Sequence, residues 1–123
     1  MTKKRQLVSD VLARKGTPLN AQQVYEEVEG SLDRATVYRT LKYLEELKHI
    51  SSFIFDCNER GIERYYCTMD KGHQHYMHCH CCHHFFPVKK CPLGNELEVL
   101  EEETGFKVEQ HSITLKGICR DCR

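Results

Sequence analysis

The sequence has no long hydrophobic run. Its apolar residues come in short groups, and charged residues interrupt the opening segment MTKKRQLVSDVLARKG, where a secretory signal would need an apolar stretch. This pattern predicts neither a membrane span nor a signal peptide, so we expect a cytoplasmic protein with no membrane partner. Thiols stay reduced in the cytoplasm, so the eight cysteines among 123 residues indicate metal ligands rather than a disulfide framework.

The chain also has no net charge, because 18 Lys/Arg balance 18 Asp/Glu. Residues 1–50 have a net charge of +2 and residues 51–123 a net charge of −2. This mild asymmetry permits a DNA contact in the front half without requiring one. The sequence contains no HExxH motif or comparable group of a metal ligand set and a general base. We therefore expect no enzyme and no small organic substrate.

Three helices are predicted in the front half. Thr2, Asn20 and Asp33 are suitable N-cap residues for them, and Gly16 and Gly30 end the first two. Apolar residues at helical spacing mark the inward faces: Leu7, Val8, Val11 and Leu12 in the first helix, Val24 and Val28 in the second, and Val37, Leu41, Leu44 and Leu47 in the third.

Two β-favouring runs, ISSFIF and IERYYC, follow the helices and are joined by the turn-forming segment DCNERG. Three helices and a hairpin are the elements of a winged helix-turn-helix, in which the third helix reads DNA. The outward side of that helix carries cations and a tyrosine, which suit phosphates and thymine methyl groups; its residues are Arg34, Ala35, Tyr38, Arg39 and Lys42. The same residues could instead form an ordinary solvated helix face.

Two CxxC pairs, Cys79 with Cys82 and Cys119 with Cys122, predict a structural Zn²⁺ site in the back half. The roughly fifty residues of this half are too few to form a core that is stable without a cross-link such as a bound metal ion. Four thiolates are the closed tetrahedral ligand set of structural zinc and leave no position open for catalysis. Cys81, inside the first pair, could replace one of its neighbours.

A small α/β unit is predicted around these cysteines. HYMHC and HFFPV have the composition of strands, NELEVLEEETG predicts a helix from Asn95 to Thr104 that Gly105 ends, and FKVEQHSITL predicts a returning strand. Apolar residues of the last segment form either a self-association surface or part of the core; they are Phe106, Val108, Ile113 and Leu115. A palindromic DNA site would require a dimer.

A second metal site is predicted from Cys67, His73 and His75. The two histidines lie two positions apart on an extended segment, so both rings point to the same side. Cys67 ends the wing, and a fourth ligand is expected from the wing turn, either Asp56 or Cys57. Such an ion would bridge two domains, and its thiolate ligand favours Zn²⁺ over Fe²⁺. Alternatively, Cys67 is a small buried residue at a strand end.

Four groups of segments occur in order along almost the whole chain: RATVYRTLKYLEE, RYYC with HQH, CHCC with CRDC, and HSITLKGIC. In these segments the chain resembles the ferric uptake regulator (Fur) family and, within it, the zinc-sensing Zur branch. The resemblance implies an α+β protein that acts as a dimeric, metal-responsive repressor of metal uptake genes and binds a palindromic double-stranded DNA operator. We expect a winged helix-turn-helix domain at 1–68, a hinge at 69–74 and a small α/β dimerisation domain with structural zinc at 75–123.

The resemblance also assigns residues. Tyr38 and Arg39 lie where the family contacts DNA, and Cys67, His73 and His75 lie where its zinc sensors bind the regulatory metal. The iron and peroxide sensors of the family tend to have a carboxylate at the position of Cys67, so zinc is favoured for this chain.

Other features keep alternatives open. Pro18 lies where iron sensors often have a histidine, which weakens an assignment to iron, although an iron, nickel or peroxide sensor remains an alternative, with Fe²⁺ as the regulatory ion in the iron case. Outside the family, the alternative is a metal-storage or chaperone protein. His111 matches a further family metal site, and His78, Cys91 and His111 are candidates for an additional ligand.

Overall fold

A computed structural model describes residues 2–69 and 75–123. The chain divides into two compact units, one within residues 1–72 and the other within residues 73–123. We describe each unit by itself. Among the residues that the structure describes, no helix has both the length and the apolar character that are needed to cross a membrane.

The first unit begins with three helices and a very short strand: α1 (Lys3–Lys15), β1 (Leu19–Asn20), α2 (Ala21–Val28) and α3 (Arg34–Glu46). The predicted caps are confirmed. The side chains of Thr2, Asn20 and Asp33 each accept a backbone N–H at a helix start, and Asn20 forms a complete capping box with Gln23. Gly16 ends α1 in the left-handed conformation, with φ 69°.

A three-stranded sheet completes this unit. Strands β2 (Ile50–Cys57) and β3 (Gly61–Thr68) pair antiparallel as the predicted hairpin, and β1 pairs with the other edge of β3. The strand order is β1-β3-β2. Strand β1 was not predicted from the sequence, because its two residues are too few to show a period. Three helices with this hairpin form a winged helix-turn-helix, so the predicted α+β class is confirmed.

The core of the first unit lies where the three helices meet. Its residues include most of the predicted inward positions: Val8, Val11, Leu12, Val24, Val28, Val37, Leu41 and Leu44. Leu47 was wrongly predicted to extend the inward face of α3. It is the C-cap residue of that helix and is 47% exposed, because the chain leaves the helix there.

The second unit contains strands β4 (His75–Cys79), β5 (Phe85–Val88) and β6 (Thr114–Gly117) and one helix, α4 (Glu96–Thr104). The strand order is β5-β4-β6, with β5 antiparallel and β6 parallel to β4. The predicted strands HYMHC and HFFPV and the predicted helix are confirmed, as is Gly105 as its left-handed end, with φ 73°.

The segment FKVEQHSITL is less regular than predicted. Only its last residues, Thr114 and Leu115, belong to β6, and residues 105–113 contain no strand. Phe106 is 72% exposed and Leu115 is 47% exposed, so neither is a core residue of this single chain. Both side chains are accessible to contact by another molecule.

Candidate metal centres and nucleic-acid interface

Helix α3 presents the predicted DNA-reading residues to solvent. Val37, Leu41 and Leu44 are fully buried on its inner side, whereas its outer side carries the exposed residues Arg34, Ala35, Tyr38, Arg39 and Lys42. This side therefore combines three cations with an aromatic ring on one surface of one helix. Such a surface can contact phosphates and base edges in a major groove.

Two of these cations are held by neighbouring side chains. The guanidinium of Arg34 lies 4.6 Å from the centre of the Tyr25 ring and donates a hydrogen bond to Gln22, both in α2. Arg39 donates to the hydroxyl of Thr36 at 3.3 Å. These contacts restrict the side-chain rotamers, which reduces the entropy that a DNA contact would cost.

Polar contacts join the end of α3 to the wing. Ser52 of β2 donates a hydrogen bond to the carboxylate of Glu45, and Arg64 of β3 donates to the Ser52 hydroxyl at 2.8 Å. We call Glu45, Ser52 and Arg64 the wing clasp. Because the clasp connects the helix to both long strands, it can fix the angle between the reading helix and the wing.

In the second unit, the two CxxC pairs meet because β4 and β6 run in parallel. Their register pairs Cys79 with Gly117, two residues before Cys119, and the N–H of His80 donates to the carbonyl of Gly117 at 3.0 Å. Tight turns after both strands then bring the remaining thiols inward. The sulfur atoms of Cys79, Cys82, Cys119 and Cys122 all lie within 4.8 Å of one another.

The geometry of this four-cysteine cluster fits zinc. The Sγ atoms of Cys82 and Cys119 are 3.9 Å apart. A tetrahedral ion with Zn–S bonds of about 2.3 Å separates its sulfur ligands by roughly 3.8 Å. Cys81, which the sequence left as a substitute ligand, is exposed and lies outside the cluster; its backbone N–H donates to the sulfur of Cys79.

The thiols of the cluster differ in acidity. The sulfur of Cys79 accepts the N–H of Cys119 at 3.4 Å, and this bond, followed by that from the N–H of Cys82, lowers the pKa of Cys79 to about 5. A hydrogen bond with the side chain of Cys119 raises the pKa of Cys122 instead. Cys79 is therefore a thiolate at neutral pH, which is the form that binds metal.

A second group of ligand atoms belongs to His75, Cys91 and His111, and these atoms also lie within 4.8 Å of one another. The sulfur of Cys91 is 3.3 Å from Nε2 of His111, and the rings of His75 and His111 have centres 5.0 Å apart. His75 is buried, with 4% exposed, and the other two are half-buried. We call this group the His–Cys–His cluster. One thiol and two imidazoles can hold a zinc ion and leave a fourth position open.

Comparison with known proteins agrees with this architecture. The model of the "Ferric uptake regulator family" matches residues 1–116. The chain belongs to the ferric uptake regulator family. The "Ferric uptake regulation protein" of Bacillus subtilis is 33% identical over 110 residues, which are 85% of this chain and 71% of that protein. The protein of the same name from Campylobacter jejuni is 28% identical over 126 residues, which are 98% and 78% of the two chains.

Among solved structures, the ferric uptake regulator Fur of Helicobacter pylori matches with a TM-score of 0.82 and 23% identity, covering 99% of this chain and 81% of that one. At this identity the likeness concerns the fold. Members of the family are transcription regulators that bind metal and DNA, so this member of the family is a regulator and not an enzyme. The exposed side of α3 and the two ligand clusters are this chain's candidates for DNA binding and metal binding.

One residue of the predicted regulatory set does not fit the structure of this family member. In the wing, Cys67 pairs with Ser51 and its sulfur lies 3.3 Å from the Ser51 hydroxyl, whereas Asp56 pairs with Ile62 near the turn. Five residues along a strand separate Ser51 from Asp56, which corresponds to about 16 Å and to opposite faces of the strand. Asp56 therefore cannot share an ion with Cys67, and Cys57, one residue further on, is more distant still.

The remaining members of that set have different outcomes. His73 lies outside the described residues, so the combination of Cys67, His73 and His75 stays a prediction. Cys91 and His111 were predicted from the sequence only as candidates for an additional ligand, and they were not joined to His75. The residue types gave a signal, since cysteine and histidine are both common metal ligands. The three residues are far apart in sequence, however, and no spacing motif links them.

The other histidines of the dense His/Cys segment contribute little to either cluster. His78 is buried and packs on Phe85 of the neighbouring strand, with ring centres 4.7 Å apart. His80 and His84 are exposed. The sequence named His78 as a candidate for an additional ligand, and that candidacy stays a prediction.

Proposed function

We propose that this chain is a zinc-responsive transcriptional repressor that binds a palindromic operator as a homodimer and controls genes of metal uptake. The observation that carries the choice of zinc is the chemistry of the two ligand clusters in the second unit. Together they supply five thiols and two imidazoles, and neither includes a carboxylate among the described residues. Thiolate and imidazole favour zinc, whereas iron(II) and manganese(II) are better matched by oxygen ligands.

The four-cysteine cluster is proposed as the structural site. It offers four soft ligands and no open position, so an ion there would hold the two turns together and would not exchange readily. A unit of about fifty residues gains much of its stability from a metal ion that cross-links distant segments in this way. The ligands would be Cys79, Cys82, Cys119 and Cys122.

The regulatory ion is proposed to use His75. One set of partners is the predicted combination of Cys67 and His73, and the other is the pair Cys91 and His111 of the His–Cys–His cluster. Each set contains one thiolate, so zinc is favoured for both. Variants of Cys67 and of Cys91 distinguish the two sets.

DNA binding is proposed to use the outer side of α3. Arg34, Tyr38, Arg39 and Lys42 supply phosphate contacts and base contacts, and a second copy supplies the same helix to the other half-site, about 34–36 Å away. Metal binding acts as a switch if it favours the arrangement in which both helices reach their half-sites together.

Metal content and DNA binding, measured on the same sample, test this proposal. We expect about two zinc ions per chain, and a mild chelator should remove one and abolish operator binding in a gel-shift assay. Loss of both ions at once, or full operator binding after the regulatory ion is removed, would contradict the proposal.

The alternative functions predict different experimental results. For a metal-storage or chaperone protein, the double variant Tyr38→Ala/Arg39→Ala would leave every function intact, because only a DNA-binding regulator needs this helix. For an iron, nickel or peroxide sensor, the operator would respond to those signals and not to zinc. Cobalt(II) substitution adds a direct readout, since thiolate-to-metal bands report whether a cysteine binds the regulatory ion.

A further inference from the structure

Two histidines flank the first CxxC turn of the second unit. His78 comes directly before Cys79 in β4, and His83 comes directly after Cys82. A ring nitrogen of His78 lies within 4.8 Å of a ring nitrogen of His83, and the ring centres are 5.9 Å apart. Two nitrogens bound to one tetrahedral zinc ion are about 3.4 Å apart. Small rotations of the two rings are therefore enough for them to share an ion.

This histidine pair is separate from the four-cysteine cluster. Successive side chains of a strand point to opposite faces of the sheet, so His78 and Cys79 project from β4 in opposite directions. The ring of His78 is buried and packs instead against the buried ring of Phe85, with ring centres 4.7 Å apart. This contact restricts the rotamers of His78, so less side-chain entropy is lost when the ring binds an ion.

The turn between β4 and β5 fixes the position of His83. The N–H of His83 donates to the carbonyl of Cys79 at 2.9 Å, and the N–H of Cys79 donates to the carbonyl of His84 at 3.1 Å. The same turn contains Cys82, the second thiol of its CxxC pair. An ion in the four-cysteine cluster would therefore hold the backbone next to both histidines of the pair.

His83 has a left-handed backbone conformation, with φ 63°. Among the residues that the structure describes, Lys48 is the one other non-glycine residue with a positive φ. Glycine adopts this conformation without steric cost, whereas the Cβ of any other residue approaches the following carbonyl oxygen. A strained backbone at a position that glycine would fill more easily indicates a role for the side chain. At His83 that side chain is a metal ligand beside a second one.

We propose that His78 and His83 form a further metal site, which takes Zn²⁺ or another divalent ion that prefers imidazole ligands. Imidazole suits zinc, nickel and copper. The pair provides two ligands, so the other coordination positions are left to water or to other groups. The ion is therefore held more weakly than one in the four-cysteine cluster. It is additional to the structural and regulatory ions of the proposed function.

A zinc titration followed by NMR tests this proposal. The starting sample is the full-length chain with its tightly held zinc, and Zn²⁺ is then added from a buffered stock. We expect the ring C–H signals of His78 and His83 to change together as about one further ion binds per chain. The signals of the exposed residues His80 and His84 should stay unchanged. Equilibrium dialysis gives the stoichiometry.

Two variants at one position separate the imidazole from the backbone conformation. His83→Gly and His83→Asn both remove the ligand, and both new residues tolerate a positive φ. Each should weaken binding of the further ion by at least about tenfold, because losing even an outer-shell partner of a ligand costs roughly 10- to 100-fold in metal affinity. His84→Asn is the matched control, since it removes an exposed histidine one residue away, and it should bind the ion like the parent chain.

Failure to bind a further ion would overturn the inference, and so would ring signals of His78 and His83 that stay constant while the ion binds. Parent-like affinity in both His83 variants would overturn it as well. An equal loss of affinity in His84→Asn would do the same, because it would indicate adventitious binding along the histidine-rich segment. These outcomes leave the operator response to the regulatory ion unchanged, so failure of this inference is distinguishable from failure of the proposed function.

Discussion

Cys79 and Gly117 are partners in the parallel pairing of β4 with β6, and this pairing brings the first CxxC turn beside the second. Each CxxC turn supplies two thiols that are close in sequence, and the register of the sheet brings the two turns together. Any ion in the cluster therefore fixes strands that are almost forty residues apart in sequence.

Loss of one cluster thiol should unfold the second unit. We expect Cys119→Ser to bind no zinc in the four-cysteine cluster and to lose the circular dichroism and the slow amide exchange of residues 75–123, because zinc binding and folding are coupled in units of this size. Cys81→Ser is the control, and it should keep both the zinc and the fold. Equal zinc loss in the two variants would show that the ligands are assigned wrongly.

Zinc binding at neutral pH should release fewer than four protons from the four-cysteine cluster. The pKa of Cys79 is lowered to about 5 by the N–H of Cys119, so this thiol is already ionised, whereas Cys122, whose pKa is raised, must still lose its proton. Zinc affinity should fall more steeply below pH 5, where Cys79 is protonated as well. Calorimetry in buffers of different ionisation enthalpy measures the release, and four protons at pH 7 would argue against a Cys79 thiolate.

Arg39→Ala should weaken operator binding by about 1–3 kcal/mol, which is roughly 5- to 150-fold, because a cation on the outer side of α3 is lost. Arg14→Ala removes the same charge from the exposed surface of α1 and is the control. Fluorescence anisotropy at constant salt measures both. If the two variants lose the same small amount of affinity, the outer side of α3 is an ordinary solvated face.

Ser52→Ala should loosen the wing clasp. The substitution removes the hydroxyl that donates to Glu45 and accepts from Arg64, and we expect the free energy of unfolding to fall by about 1 kcal/mol. Operator affinity should fall several-fold as well, because the angle between wing and reading helix is less restricted. Ser31→Ala, at an exposed serine, should change neither quantity, and an unaltered operator affinity in Ser52→Ala would mean that the clasp has no role in DNA binding.

Two leucines of α3 should differ sharply on truncation. Leu41 is fully buried, so Leu41→Ala should reduce the free energy of unfolding of the first unit by about 2–5 kcal/mol. Leu47 is 47% exposed, and Leu47→Ala should change it by no more than about 0.5 kcal/mol. Denaturant titration gives both values, and similar losses would place Leu47 in the core after all.

Local chemistry made much of the fold predictable from the sequence. N-cap residues such as Asp33 and left-handed glycines such as Gly105 act within one helical turn, so their effect can be read from neighbouring positions. The two CxxC pairs are equally local, and their spacing alone was enough to predict the four-cysteine cluster.

The features that sequence reasoning missed depend on register and distance. The sequence placed Asp56 in the wing turn and Cys67 at the end of the wing, but the separation of about 16 Å between them follows from the strand register, which the sequence reasoning did not use. The grouping of His75 with Cys91 and His111 depends on how the α4 segment returns to the sheet. Leu47 follows the apolar period of α3 but lies where the helix ends, so the period alone misplaced it.

The choice of zinc is tested most directly by operator affinity measured against buffered free metal, with zinc and iron(II) compared under anaerobic conditions. The soft ligands of this chain predict that zinc increases operator affinity at free concentrations well below those at which iron(II) has any effect. They also predict that one of the two variants Cys67→Ser and Cys91→Ser, the one that removes the thiolate of the regulatory ion, reduces the zinc response. An operator response to iron(II) at concentrations equal to or lower than those of zinc would contradict the central claim.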